Sequence, residues 1–168
     1  MESQLEAMIG ELKREGDTAR RILERVPEGE LSWRPHAKSM TLGQLALHVA
    51  TIPANLSQMA ALDSFDAANA NFDSPQPGSK AEILAGLDAA LDSASAYLSS
   101  LTNDAGDATW RLTLHGTEVF AVPRIVLLRS FLMNHWHHHR GQLTVYLRLL
   151  DVPVPVIYGR SADENPFG

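Results

Sequence analysis

The chain contains no cysteine among its 168 residues. That absence excludes a disulfide scaffold, a thiol nucleophile, an iron–sulfur centre and every zinc site built on cysteine, so any metal must be held by histidine and carboxylate. Positive charge is scarce too. There are 14 Lys and Arg against 20 Asp and Glu, a net charge of −6, and the basic residues are scattered. Nucleic-acid binding rests largely on neutralising phosphates, so no nucleic-acid partner is expected. No stretch reaches 18 uninterrupted apolar residues, and the opening Met1-Glu2-Ser3-Gln4-Leu5 has no basic segment leading into an apolar one. These features predict a cytoplasmic protein with no membrane partner. A chain of this length is the size of one domain, expected over residues 1–168, and removes roughly 70% of its unfolded surface from water without staples.

What the sequence has in quantity is helical periodicity. Leu5, Met8, Ile9, Leu12, Gly16, Ala19, Ile22, Leu23 and Val26 recur at steps of three and four, predicting a helix over about 3–26. It stops at Pro27-Glu28-Gly29, and Trp33-Arg34-Pro35 belongs to a connection that a helix cannot easily cross. Thr41 suits an N-cap for a second stripe, Leu42 to Leu62. Residues 63–78 turn to Asp, Asn, Ser, Pro and Ala and read as a surface connection, after which Ser79 caps a third helix ending near Ser99. The runs 110–114 and 117–120 flank His115-Gly116 as a short hairpin. A fourth helix is expected over 123–150, and Val152-Pro-Val-Pro-Val156 must run extended because its two prolines remove donors and fix φ. The expected fold is therefore all-α: a four-helix bundle with long crossover connections, a hairpin-like segment before the last helix and an extended C-terminal tail.

Seven histidines are present, and helical phase separates them. At 100° per residue from Leu128, His135 falls at about −20°, His139 at about +20°, Gln142 at about −40° and Tyr146 at about 0°, all on the predicted inward stripe. His137 falls at about 180° and His138 at about −80°, on the outer face and flank. An i, i+4 histidine pair brings two imidazoles within reach of one ion. His48, three after Leu45 and four before Ile52, lies on the inner stripe of the second helix and offers a third ligand. Position 136 is Trp, so the general base of the HExxH zincins is missing, and no Glu-x-x-His pair exists at these histidines for a di-iron bundle. One mononuclear site with His48, His135 and His139 remains, or a set of core histidines and a surface run with adventitious affinity. Behind the ligands, Gln142 and Tyr146 are candidate supports or plain bundle packing, and Asp163 and Glu164, which follow the tail, are candidates to reach the site or else solvated terminal charges.

The run Asn134-His-Trp-His-His-His139-Arg-Gly-Gln-Leu143 resembles the DinB family, as do Val145-Tyr-Leu-Arg148, Val152-Pro-Val-Pro155 and Ile157-Tyr-Gly-Arg-Ser-Ala-Asp-Glu164. Leu42-Gly-Gln-Leu45 followed by His48 is similar to that family's first ligand-bearing helix, and Trp33-Arg-Pro35 to the connection before it. The resemblance implies a four-helix bundle, often a homodimer, with one divalent metal per chain held at His48, His135 and His139. Zinc or nickel is expected first, with manganese or iron also accepted by such ligands. It also implies a small-molecule substrate, with a low-molecular-weight thiol among the partners, since relatives include thiol-dependent transferases and isomerases. Two functions follow as expectations. One is a metal-dependent transferase or hydrolase whose nucleophile is a coordinated water or thiol. The other is a non-catalytic bundle, scaffold or sensor, in which the metal only ties helices together.

Overall fold

The computed structural model describes residues 4–71 and 73–167. Ser3, the first residue of the predicted first helix, lies outside them. Three long helices are α1 (Gln4–Leu23), α2 (Leu42–Ala61) and α3 (Lys80–Ser100), and a short α4 (Asn103–Asp107) follows. The fourth rod is composite. It consists of α5 (Arg124–Leu127), a π-helical stretch Leu128–Asn134, and α6 (His135–Leu149).

Contacts set the directions. Arg20 pairs with Asp88 and Gly16 packs on Leu91, so α1 and α3 are antiparallel. Gly86 faces Leu47 and Thr51 while Pro77, just before α3, lies against Gly43 at the start of α2, so α3 runs parallel to α2 and the connection between them must travel back along the bundle. Trp136 meets Val49 while Tyr146 meets Met40, which makes α6 antiparallel to α2. The result is the expected four-helix bundle with a long crossover. Its core joins Leu12, Ile22 and Leu23 of α1, Leu45, Val49 and Ile52 of α2, Ile83, Leu87 and Leu98 of α3, and Leu132, Trp136 and Leu143 of the last rod. No described helix is long and apolar enough to cross a membrane.

The hairpin is real and longer than predicted. Strands β2 (Thr109–Leu114) and β3 (Thr117–Pro123) pair antiparallel, with an irregularity between Leu112 and Thr113. The two-residue turn His115-Gly116 has φ of 50° and 77°, the left-handed pair that twisted hairpins favour, and glycine accepts this without strain. Asp66 holds that turn by accepting from both its N–H groups, at 3.0 and 2.8 Å. Asp66 ends β1 (Ser64–Asp66), which pairs parallel to β2 inside the segment expected to be only a surface connection. Three residues gave too short a pattern to mark a strand, and pairing with β2 supplied what periodicity could not. Arg124, 6% exposed, clamps this end by donating to the carbonyls of Ala60 and Ala105 and pairing with Asp63.

The tail runs extended across the bundle, as its prolines require. Val152, Val154 and Ile157 pack against the chain's own core, so the segment is a strap on its own bundle. Asp163 pairs with Arg148 and accepts from Val154 N–H; Glu164 pairs with Arg25 and accepts from Val156 N–H. These two carboxylates fasten the strap and do not reach the histidines.

Candidate metal centre

Local chemistry fixes the phase of α2. Thr41 Oγ1 accepts from Gln44 N–H at 3.1 Å while Gln44 Oε1 accepts from Thr41 N–H at 2.9 Å, a reciprocal cap that starts the helix at Leu42. From that start Gln44, His48, Thr51 and Asn55 fall on one face, at spacings of four, three and four. Pro53, inside the helix, has no N–H to give to the Val49 carbonyl four residues back. The indole N–H of Trp136 donates to that carbonyl at 2.8 Å. The bond locks α6 to α2 beside His48 on one helix and His135 on the other.

His48, His135 and His139 are brought together. Ring centroids lie 4.4 Å apart for His48 and His139, 4.4 Å for His135 and His139, and 5.6 Å for His48 and His135. One nitrogen from each ring lies within 4.8 Å of the others. Bonds of about 2.1 Å from one ion put ligand nitrogens roughly 3.0–3.4 Å apart, so ring rotations that draw the nitrogens inward close the set. Behind the triad, His139 Nδ1 meets Gln142 Oε1 at 2.8 Å. With Nδ1–H donating to that oxygen, Nε2 keeps its lone pair free.

The electrostatics suit ligation as well. Burial, followed by the charges of His139 and His135, pushes His48 down to about 4. Burial leads in lowering His135 too, with His139 and His138 adding to it. His139 is likewise lowered by burial, against the bond to Gln142 that raises it. At neutral pH all three rings are therefore neutral, the form that binds a cation.

The stripe itself is one residue away from its predicted place. The buried line of the last rod runs through Leu132 and Met133, then Trp136, Arg140, Leu143 and Leu147. Extrapolation from Leu128 at α-helical phase gives 135, 139, 142 and 146 instead. A π turn closes i→i+5 and takes in one extra residue, which rotates everything after it. The histidines thus sit half-buried at the margin of the core and not at its centre, where a ligand can reach them. The same rotation moves His137 off the outer face. It is half-buried against Glu15, with Nε2 and Oε2 3.5 Å apart, and its ring meets that of Tyr158 at 6.2 Å. Tyr146 makes an edge contact with Trp33 at 5.8 Å and donates to the Met40 carbonyl at 3.3 Å. It braces the connection before α2 and does not touch the triad. The role of Trp136 was not read from the sequence, although Pro53 inside a helix is a signal that a carbonyl needs an outside donor.

Comparison with known proteins meets this geometry. The model of the DinB family matches residues 1–165. The chain belongs to the DinB family. It is 29% identical over 152 residues to the uncharacterized protein YrdA of Bacillus subtilis, covering 89% of this chain and 85% of that one. Among solved structures it is similar to a DinB-like protein from Bacillus cereus, with 24% identity, a TM-score of 0.66, and 87% and 92% of the two chains covered. A DinB-like protein from Bacillus subtilis gives 17% identity and a TM-score of 0.70, with 90% and 96% covered. These two likenesses bear on the fold.

In this DinB-family chain the three histidines stand close enough to bind one metal ion, and His48 also lines a cleft of about 250 Å³ between α2 and the crossover. Gln44, Thr51 and Asn55 continue its wall along α2, and Asp73, Ser74 and Pro75 face them. Two larger grooves lie at the start of α1, against Ile125, and contain no histidine.

Proposed function

We propose that the protein is a cytoplasmic metal-dependent enzyme in which His48, His135 and His139 hold one divalent ion, zinc or nickel first. Its reaction on a small molecule is thiol-dependent transfer or hydrolysis. The observation that carries this reading is the convergence of three neutral imidazoles from two helices at the margin of the core, one of them lining an open cleft. Such an ion supplies Lewis acidity, which lowers the pKa of a coordinated water or thiol and provides a nucleophile in a chain without cysteine. The chain's own residues do the rest. Burial keeps the rings unprotonated, Gln142 orients His139, and Trp136 fixes the spacing of the two helices.

A metal serving only as a clasp is less well supported, because the Trp136 to Val49 bond already ties α2 to α6 without one. The reading includes a homodimer. Val145 and Leu149, 57% and 56% exposed one turn apart on α6, offer an apolar seam. A monomer mass in light scattering at micromolar concentration would overturn the dimer. The enzyme reading is tested by elemental analysis of untagged, dialysed protein, followed by thiol-transfer and hydrolysis screens with and without added metal. Turnover that needs metal and disappears in His48→Ala is expected; protein that takes up no metal sinks the proposal.

A further inference from the structure

The wall of the cleft is unusual in its charge. From Ser39 to Ser79 the chain has no Lys and no Arg, and its only charged residues are Asp63, Asp66 and Asp73. Two of these are engaged in the fold. Asp63 pairs with the buried Arg124, and Asp66 accepts from the N–H groups of the hairpin turn. Among the described residues the Asp73 carboxylate has no hydrogen bond or ion pair, and it faces the same cleft as His48. Its backbone, by contrast, is fixed. Asp73 N–H donates to Asn71 Oδ1 at 2.8 Å, the neighbouring Ser74 carbonyl accepts from Gln44 Nε2 at 2.8 Å, and Gln76 accepts from Thr41 Oγ1 at 2.6 Å. The carboxylate is thus held on a braced segment opposite a helix face whose polar groups, Thr51 and Asn55, are uncharged.

We propose that this cleft takes a compact ligand bearing a cationic amino group, which Asp73 receives while the ligand's other end reaches the three histidines. The inference rests on the metal reading above and deepens it by giving the ligand a charge class. The metal ion's own positive charge is met by the ligand's other end; at the Asp73 end no Lys or Arg lines the cleft, so an anionic group there has nothing beside it to offset the carboxylate, whereas an ammonium gains an ion pair. The volume of about 250 Å³, below that of pockets for drug-sized ligands, limits the occupant to a small molecule. An exposed ion pair of this kind is worth up to about fivefold in affinity at low salt, and less as salt screens it.

The test uses zinc-loaded full-length protein and two thiols of equal reach and opposite charge, cysteamine and 3-mercaptopropionate, titrated by calorimetry at low ionic strength. The two thiols also ionise differently at sulfur, so the reading is the change in their affinity ratio when Asp73 is replaced in Asp73→Asn. A metal titration without thiol comes first for both proteins. The expected result is equal zinc binding, with the cysteamine preference falling about fivefold in the variant and also falling with salt in the natural protein. If both proteins bind zinc and the ratio is unchanged, the charge assignment is overturned and the metal site stands. If neither binds zinc in the first titration, the metal reading fails and this inference falls with it.

Discussion

Trp136 donates its indole N–H to the Val49 carbonyl at 2.8 Å, the acceptor that Pro53 leaves without its helical donor. An apparent defect in α2 is thereby the attachment point for α6, one residue from His48 and one from His135. The bond is buried, with Trp136 and Val49 both inaccessible, so its loss leaves an acceptor that water cannot satisfy.

Trp136→Phe keeps most of the ring and removes only the donor. It should cost about 2 kcal/mol in chemical denaturation and weaken zinc binding, because the two helices lose their fixed spacing. Pro53→Ala restores an N–H to the same carbonyl. A double-mutant cycle should therefore show the alanine recovering about 1 kcal/mol in the Trp136→Phe background beyond its effect in the natural chain. Additive effects would show that Pro53 and Trp136 act independently.

Single substitutions His48→Ala, His135→Ala and His139→Ala should each abolish binding of one divalent ion per chain, while His137→Ala leaves it intact. Gln142→Ala should bind metal about 10- to 100-fold more weakly, since it frees the His139 ring without removing a ligand. Equilibrium dialysis with elemental analysis checks both, and loss of metal in His137→Ala would move the site to the wrong side of α6.

The limits of sequence reading follow from the same helix. Helices α1 to α3 were placed within three residues at each described end because caps at Thr41 and Ser79 and breakers at Pro27 and Gly78 are local chemistry. The hairpin was legible from His115-Gly116 for the same reason. The π stretch Leu128–Asn134 was not, since Phe131, Leu132 and Met133 look alike at either helical phase. The spacing of His135 and His139 within α6 survived that error, because both lie after the stretch. Their depth did not: they were expected at the centre of the core and lie at its margin. Tyr146, Asp163 and Glu164 share their helix or strap with the site in sequence, yet the fold spends all three on bracing.

Removing metal should lower stability without unfolding the bundle. The core from Leu12 to Leu147 packs without help from the triad, so the ion adds only its binding energy. At a thousandfold excess over the dissociation constant that is about 4 kcal/mol. Circular dichroism of chelated protein at pH 7.5 should show an intact helical spectrum and a cooperative transition at lower temperature. A random-coil spectrum would make the ion structural.

Acid should attack the opposite side of α6. Glu15, 11% exposed at its side chain, accepts from Arg140 at 2.6 Å and from Tyr158 Oη at 2.9 Å, and Arg140 also donates to Tyr158. Burial pushes the Glu15 carboxyl up, and the bonds from Arg140 and Tyr158 with the charges of Arg140 and His137 more than offset it, holding it below its usual value. A carboxyl lowered in the folded state contributes stability that is complete above its unfolded value near 4.3 and is lost as pH falls through the folded value. Glu15→Gln removes one partner of a buried pair and should cost about 3 kcal/mol at pH 7. The gap to the natural protein should close below about pH 4 and be flat above about pH 5.5. Melting curves of the two proteins across that range read the difference directly, and a gap that persists undiminished at pH 3 would mean that Glu15 stabilises by packing and not by its charge.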